Sequence, residues 1–302
     1  MAIAGFLRSL RIALWQSLGN DVLDGAKATA YSGMLMLFPA FLVLTTVLAL
    51  IPAGNTLLDE FRMASEQFLP ADTMSLLQSY FQAQRAFSFQ VLTSATSLSI
   101  IAAWGVTSTL MDGFRRAYRL PVHSWSLWQR RVRALLLVPI ALVPLSTASF
   151  LLIFGEPIEA WMIANSHYEL RTIVLVLWRL ARWALAVVTS ISVLGAVYHF
   201  GTNSRERWTR IAPGAITATF LWFPVTLAFG FYVTRIADYS IIYGSLGTAI
   251  ATLVWLYITS YSVLLGAQLN GILYRERRKA VIRARATNRP EPLQNSLPDP
   301  PM

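Results

Sequence analysis

Two arginines, Arg179 and Arg182, stand three residues apart in an otherwise apolar stretch, a spacing that puts both guanidinium groups on one helical face. Planar donor forks of this kind bind phosphate or carboxylate, so the pair is a candidate site for an anionic headgroup. The plainer account is snorkelling to a membrane surface, or pairing with Glu156, Glu159 or Glu169. Further along, Tyr239-Ser-Ile-Ile-Tyr243-Gly244-Ser245-Leu246-Gly247 sets aromatic hydroxyls beside small residues, which equally serve close helix packing. The run Gly266-Ala267-Gln268-Leu269-Asn270 places two amides near the end of an apolar helix, a depth at which polar groups face protein or water. Tyr31, Pro39, Pro224, Tyr239, Tyr243, Gln268 and Asn270 are therefore candidates for lining a substrate path. Pro39, Pro139, Pro144, Pro213 and Pro224 fall in apolar runs, where each removes a backbone bond and promotes a kink or break, although proline is also common in membrane helices. A second basic group, Arg115, Arg116, Arg119, Arg130, Arg131 and Arg133, is interleaved with Tyr118, Trp125 and Trp128, and suits a segment that touches anionic lipid at an interface.

Other chemistry is missing. His123, His167 and His199 show no ligand-like spacing, so no metal site is expected. The stretch from Gly19 to Lys27 has glycines six apart, and Lys27 is followed by Ala28, so it fails the phosphate-loop pattern twice. There is no Gly-x-Ser-x-Gly elbow, no His-Glu-x-x-His helix and no cysteine. Neither a catalytic centre nor a cofactor is expected.

The elements that must position these residues are membrane helices. Of 302 residues 55% are hydrophobic and only 13% charged, with mean hydropathy +0.51, a balance rare in soluble domains of this size. Residues 28 to 58 form 31 consecutive positions without a charge, and about 20 apolar residues suffice to cross a bilayer. The reading is an all-α polytopic membrane protein with six spans at about 28–52, 89–111, 134–155, 183–202, 211–234 and 243–272. Residues 1–26 form an N-terminal segment, in which Phe6, Leu7, Leu10, Leu14 and Leu18 make a stripe opposite Arg8 and Arg11. That stripe suits an interfacial amphipathic helix or packing against the bundle. No cleaved leader is expected. Apolar residues at helical spacing between Thr56 and Phe87 predict amphipathic helices in the first outer loop. Residues 27–273 hold the six spans, and residues 274–302 a tail that is basic and then Pro-rich, the latter part expected to be disordered.

The net charge of +10 is not read as a nucleic-acid signature, because the basic residues lie in loops rather than on one soluble surface. Of the 25 Lys and Arg residues, 19 fall in the N-terminus, second loop, fourth loop and tail, and 6 in the other loops. Basic residues accumulate on the cytoplasmic side, so both termini are expected there.

Ala30-Tyr31 with Leu37-Phe38-Pro39, Trp104-Gly105 followed by Arg116-Ala117-Tyr118, and Trp208 with Pro213-Gly214-Ala215 form a recognisable set. With Tyr239 to Gly247, Trp255-Leu256-Tyr257 and Gly266 to Asn270, they give a chain that resembles the YihY/BrkB family of bacterial inner-membrane proteins, once described as ribonuclease BN. The resemblance covers about Lys27 to Asn270. It implies a six-helix inner-membrane protein with no settled biochemical activity, linked loosely to envelope lipid handling and serum resistance. The family commonly has Glu where this chain has Gln268, which leaves no carboxylate there for proton coupling.

The expected function is a transporter or flippase for an amphiphilic, phosphate-bearing lipid or envelope glycolipid, with membrane lipids as partners and anionic headgroups at the cytoplasmic loops and tail. Homo-oligomerisation is compatible with the sequence. The alternative is a non-transporting scaffold for envelope assembly. Nuclease activity fits poorly, since phosphodiester hydrolysis calls for clustered carboxylates with metal ions or an acid and base pair.

Overall fold

The computed structural model describes residues 2–49, 89–121, 126–153, 171–202, 206–235 and 245–287. Among them are seven helices and no strand: α1 (Ala2–Ser17), α2 (Asn20–Ala49), α3 (Phe89–Tyr118), α4 (Leu127–Ile153), α5 (Arg171–Gly201), α6 (Trp208–Arg235) and α7 (Ser245–Thr287). The outer loop of 56–87, Tyr239, Tyr243 and the Pro-rich tail lie outside the described residues.

Local sequence sets the helix ends. Gly19 separates α1 from α2, its N–H bonded back to the Gln16 carbonyl at 3.1 Å, and Asp21 then sits in the first turn of α2, where the helix dipole favours a negative charge. Before α4, Ser126 and Gln129 form a reciprocal capping box: the Gln129 N–H donates to Ser126 Oγ at 3.3 Å and the Ser126 N–H to Gln129 Oε1 at 3.4 Å. The C-terminus of α3 closes with the Leu120 N–H on the Arg115 carbonyl and the Arg119 N–H on the Arg116 carbonyl, both at 3.0 Å. That Schellman pattern needs a left-handed residue, usually glycine, yet here it is Arg119 at φ 54°. The prolines do not break their helices: α2 runs unbroken through Pro39, α4 through Pro139 and Pro144, and α6 through Pro213 and Pro224. Packed neighbours, which can supply hydrogen bonds that a proline removes, make this tolerable.

Helices α2 to α7 form a ring in chain order, α7 closing against α2 and also packing on α3, with α1 laid along α7. The large fully buried side chains cluster at one end of the ring: Phe114 and Tyr118 on α3, Leu137 on α4, Tyr198 on α5, Ile211 on α6, and Leu264, Leu265, Leu269 and Asn270 on α7. The Phe114 and Tyr198 rings meet edge to face with centroids 5.2 Å apart, the geometry that ring quadrupoles prefer. The same end carries the basic residues of the α3–α4 connection and of α7, so we call it the basic end.

Three described helical stretches are long and apolar enough to cross a membrane: Leu175–Gly201, Trp208–Val233 and Ala249–Ala284. They correspond to the last three expected spans, while α2, α3 and α4 occupy the positions of the first three. Leu177, Leu180, Phe220, Leu227 and Phe231 stand exposed on α5 and α6, an apolar surface suited to lipid. In α1 the expected stripe is divided. Phe6 and Leu10 pack with Ala13 on Leu265, Leu269 and Ile272 of α7, whereas Leu7, Leu14, Trp15 and Leu18 point outward. Helix α7 also continues through Arg275 to Thr287, past the boundary at 273 expected from the onset of charge, because Arg, Lys and Ala are good helix formers.

The tightest crossing joins α6 to α7. A Cβ on Gly266 would lie 2.5 Å from the Gly214 carbonyl oxygen, 2.6 Å from the Tyr198 hydroxyl and 2.8 Å from Ala218 Cβ, and one on Gly214 would collide with the Gly266 backbone. Small residues allow such approach between membrane helices. Gly266→Ala is expected to lower stability by about 1–3 kcal/mol through overpacking. Gly230→Ala, where a Cβ meets nothing within 4 Å, should be neutral or better. Thermal melting of both variants in detergent tests the contrast.

Candidate functional site

At the basic end, α6 and α7 are joined by one side chain. Asn270, 1% exposed, donates from Nδ2 to the Ile211 carbonyl at 2.8 Å and accepts at Oδ1 from the Gly214 N–H at 2.9 Å. These backbone groups flank Pro213, which has no N–H of its own. Tyr118 lies beside Asn270, and burial raises its hydroxyl pKa above the ordinary value, with the Glu206 carboxylate adding to the effect. Glu206, just ahead of α6, is paired with Arg277 at 3.2 Å and Arg210 at 3.7 Å. Tyr198 donates to the Val263 carbonyl at 2.6 Å, tying α5 to α7. Arg275 Nη1 caps α3 by donating to the Ala117 carbonyl at 2.6 Å. Two of the basic tail residues thus turn back onto the bundle.

Next to this knot is a pocket of about 240 Å³, walled by α1, α2, α3 and α7. Its floor is Val22, Gly113, Ala117 and Leu264, and its polar lining is Gln16, Asp21, Arg116, Arg119 and Gln268. Gly113 allows Leu264 to close the floor, since a Cβ there would collide with Leu264 Cδ2. Gln268, 9% exposed, donates from Nε2 to Gln16 Oε1 at 3.1 Å. That bond leaves the Gln16 amide N–H groups and Gln268 Oε1 for other partners. The left-handed turn at Arg119 sets its side chain in the pocket wall with Arg116, one turn earlier. Neither arginine is engaged in an ion pair among the described residues. Two guanidinium groups and an amide donor suit a phosphate, while Asp21 on the wall suits a positively charged group attached to it.

Helix α1 is latched over the same region. Ser17 Oγ and Tyr261 Oη are 2.7 Å apart, and Ser9 Oγ donates to Glu276 Oε2 at 3.3 Å.

The residues expected from sequence are dispersed. Gln268 lines the pocket, while Asn270 is bonded to α6. Pro39 is buried, while Tyr31 and Pro224 are exposed. Arg116 and Arg119 enter the pocket; Arg115 and Arg130 converge on Asp112, Arg115 at 3.7 Å; and Arg131 and Arg133 are exposed. Arg179 is exposed, and Arg182 is half-buried in the half of the ring away from the pocket. Gln16 and Asp21 carried no sequence signal, because only the return of α1 along α7 brings Gln16 to Gln268.

A family model described as virulence factor BrkB matches residues 14–292. A ribonuclease-like protein, YfkH, from Bacillus subtilis is 27% identical over 259 residues, which is 82% of this chain and 89% of the relative. A UPF0761 membrane protein from Tolumonas auensis is 24% identical over 94% of this chain and 92% of its own length. Another from Aromatoleum aromaticum is 26% identical over 82% of this chain, the match spanning 59% of that longer protein. No solved structure matches.

Removing the Asn270 amide would leave the Gly214 N–H and the Ile211 carbonyl without this partner in a buried place. Asn270→Ala is therefore expected to cost about 1–3 kcal/mol. It should lower the melting temperature, whereas Arg116→Gln and Arg119→Gln, at exposed side chains, should change it little.

Proposed function

The chain belongs to the virulence factor BrkB family, whose members here are membrane proteins, and we propose that it carries a phosphate-bearing amphiphile across the bacterial inner membrane. In this reading α2 to α7 all cross the bilayer, and the basic end, with both termini, lies in the cytoplasm. The substrate is a phospholipid or envelope glycolipid whose headgroup sits in the basic-end pocket. The observation that carries the reading is the pairing of Arg116 and Arg119, free of ion-pair partners, with the Gln16–Gln268 amides in one pocket of about 240 Å³.

Position supports the same reading. The pocket opens where an apolar bundle meets water, so a headgroup can be desolvated onto fixed donors while its chains stay in hydrocarbon. Asp21 favours a headgroup that carries an amine as well as a phosphate. No catalytic step belongs to this proposal. The ribonuclease-like name attaches to the Bacillus subtilis relative, and among the described residues no group of three His, Asp or Glu is placed to hold a metal ion.

One observation favours the scaffold reading instead. Beyond the ring, α7 exposes Val281 and Ile282 beside Arg278, Lys279 and Arg283, a mixed surface for a partner protein.

The test is reconstitution in liposomes that contain labelled phosphatidylethanolamine, with loss of outer-leaflet protection followed over time. Wild type should translocate the label, and the Arg116→Gln, Arg119→Gln double variant should slow it at least tenfold, about 1.4 kcal/mol or more of lost binding. A chain ending at Arg278, which keeps the Arg277–Glu206 pair and removes Val281 and Ile282, should still translocate. Absence of translocation by wild type, with loss of cellular function on that truncation, would favour the scaffold.

A further inference from the structure

Arg179 and Arg182 do not form a surface pair. Arg182 lies four residues before Ala186, and Val193 and Val197 continue the same face, all three of them buried. Its side chain therefore springs from the core-facing stripe of α5. Its Nε and Nη1 are shielded from solvent and have no hydrogen-bond partner. Arg182 is about 28 Å of helix from Gly201. That puts it in the half of the ring away from the basic-end pocket.

Other polar atoms in the same condition lie at the same level. The Trp222 indole donates to Thr259 Oγ1 at 3.2 Å, which fixes the register of α6 against α7. One turn further from the basic end on the facing surfaces come Thr226 and Trp255, whose Oγ1 and Nε1 are buried and unpartnered. The rings of Trp183 and Phe223, with centroids 5.8 Å apart, fix α5 against α6 and set Arg182 and Thr226 within about a turn of one depth along the bundle. A guanidinium cannot shed its charge, so burial has to be met by an anion. The helices supply none. Asp and Glu are absent from 28–49, 89–111, 134–153, 171–201, 208–235 and 245–275.

We propose that Arg182, with the Thr226 hydroxyl and the Trp255 indole N–H, forms an intramembrane site for a phosphate group in the half of the ring away from the basic-end pocket. Arg182 supplies the charge and the Nε–H and Nη1–H donors, and Thr226 and Trp255 add one neutral donor each. The identification of the phosphate as a lipid headgroup rests on the carrier reading above. The site would then be the far station of that path, and the basic-end pocket the near one.

The experiment uses the full chain purified in a non-ionic detergent. Melting temperature is followed while inorganic phosphate or, separately, dihexanoyl phosphatidic acid is added. Binding to the folded state should raise the melting temperature in a saturable way. Arg182→Gln should weaken the apparent affinity at least tenfold, and Thr226→Val and Trp255→Phe each several-fold. Arg116→Gln with Arg119→Gln should leave the Arg182-dependent part in place. Response to both probes assigns recognition to the phosphate alone, and response only to the lipid assigns it to the amphiphile. Without added anion, Arg182→Gln should melt at or above wild type, since it removes an unpaired buried cation. Melting below wild type, failure to fold, or affinity within twofold of wild type overturns the proposal. Arg182-dependent binding without translocation in liposomes would keep this site and sink the carrier reading. Translocation with no Arg182-dependent binding would do the reverse.

Discussion

Both ends of the Asn270 side-chain amide are bonded to the backbone of α6, and most of the basic end is arranged around that contact. The amide can reach only because Gly214 and Gly266 let α6 and α7 approach closely. There it bonds backbone groups on either side of Pro213, which has no N–H of its own. In hydrocarbon a backbone polar group without a partner costs several kcal/mol, so a proline near a helix start calls for a donor or acceptor from a neighbour. Tyr118, Tyr198, the Arg275 cap on α3 and the Glu206–Arg277 pair then pack around α7 and hold α3, α5 and α6 to it.

A knot at one end leaves the rest of the ring differently built. Among the described residues the large fully buried side chains crowd the basic end, and the buried polar atoms without a hydrogen-bond partner include those of Arg182, Thr226 and Trp255 further up the bundle. A molecule held together at its base, with polar groups turned inward further up, suits a path better than a rigid plug. That arrangement is compatible with the two proposed anion sites lying at different depths of the bundle.

Apolar run length and the abundance of charge between runs made the helices legible, and the described helices fall where the runs are. Gln268 and Asn270 were legible too, because amides at the end of an apolar helix are costly unless they have partners. The partners were not. Gln16 meets Gln268 across 252 positions of sequence, and nothing local in either residue announces the other. Arg119 could not be separated from the surrounding arginines, since its left-handed turn belongs to the helix end rather than to the residue type. The spacing of Arg179 and Arg182 suggested a shared face, yet one stands on the exposed flank of α5 and the other on its buried stripe. Only the packing of α5 against its neighbours decides which flank is inside. Arg275 and Arg277 read as lipid contacts because charge composition cannot say which way a long side chain turns.

On the carrier reading, the far half of the ring encloses a polar interior reached by an anionic amphiphile. The chain has no cysteine, so single cysteines can be placed without removing any. Thr226 and Leu227 are neighbours at one depth, the first with its hydroxyl buried inside and the second 65% exposed on the outer face. In liposomes, Thr226→Cys should react with a small, membrane-impermeant thiol reagent and be protected by dihexanoyl phosphatidic acid, while Leu227→Cys, facing lipid, should stay unreactive. An unreactive Thr226→Cys, or labelling that the anionic lipid leaves unchanged, would contradict the account.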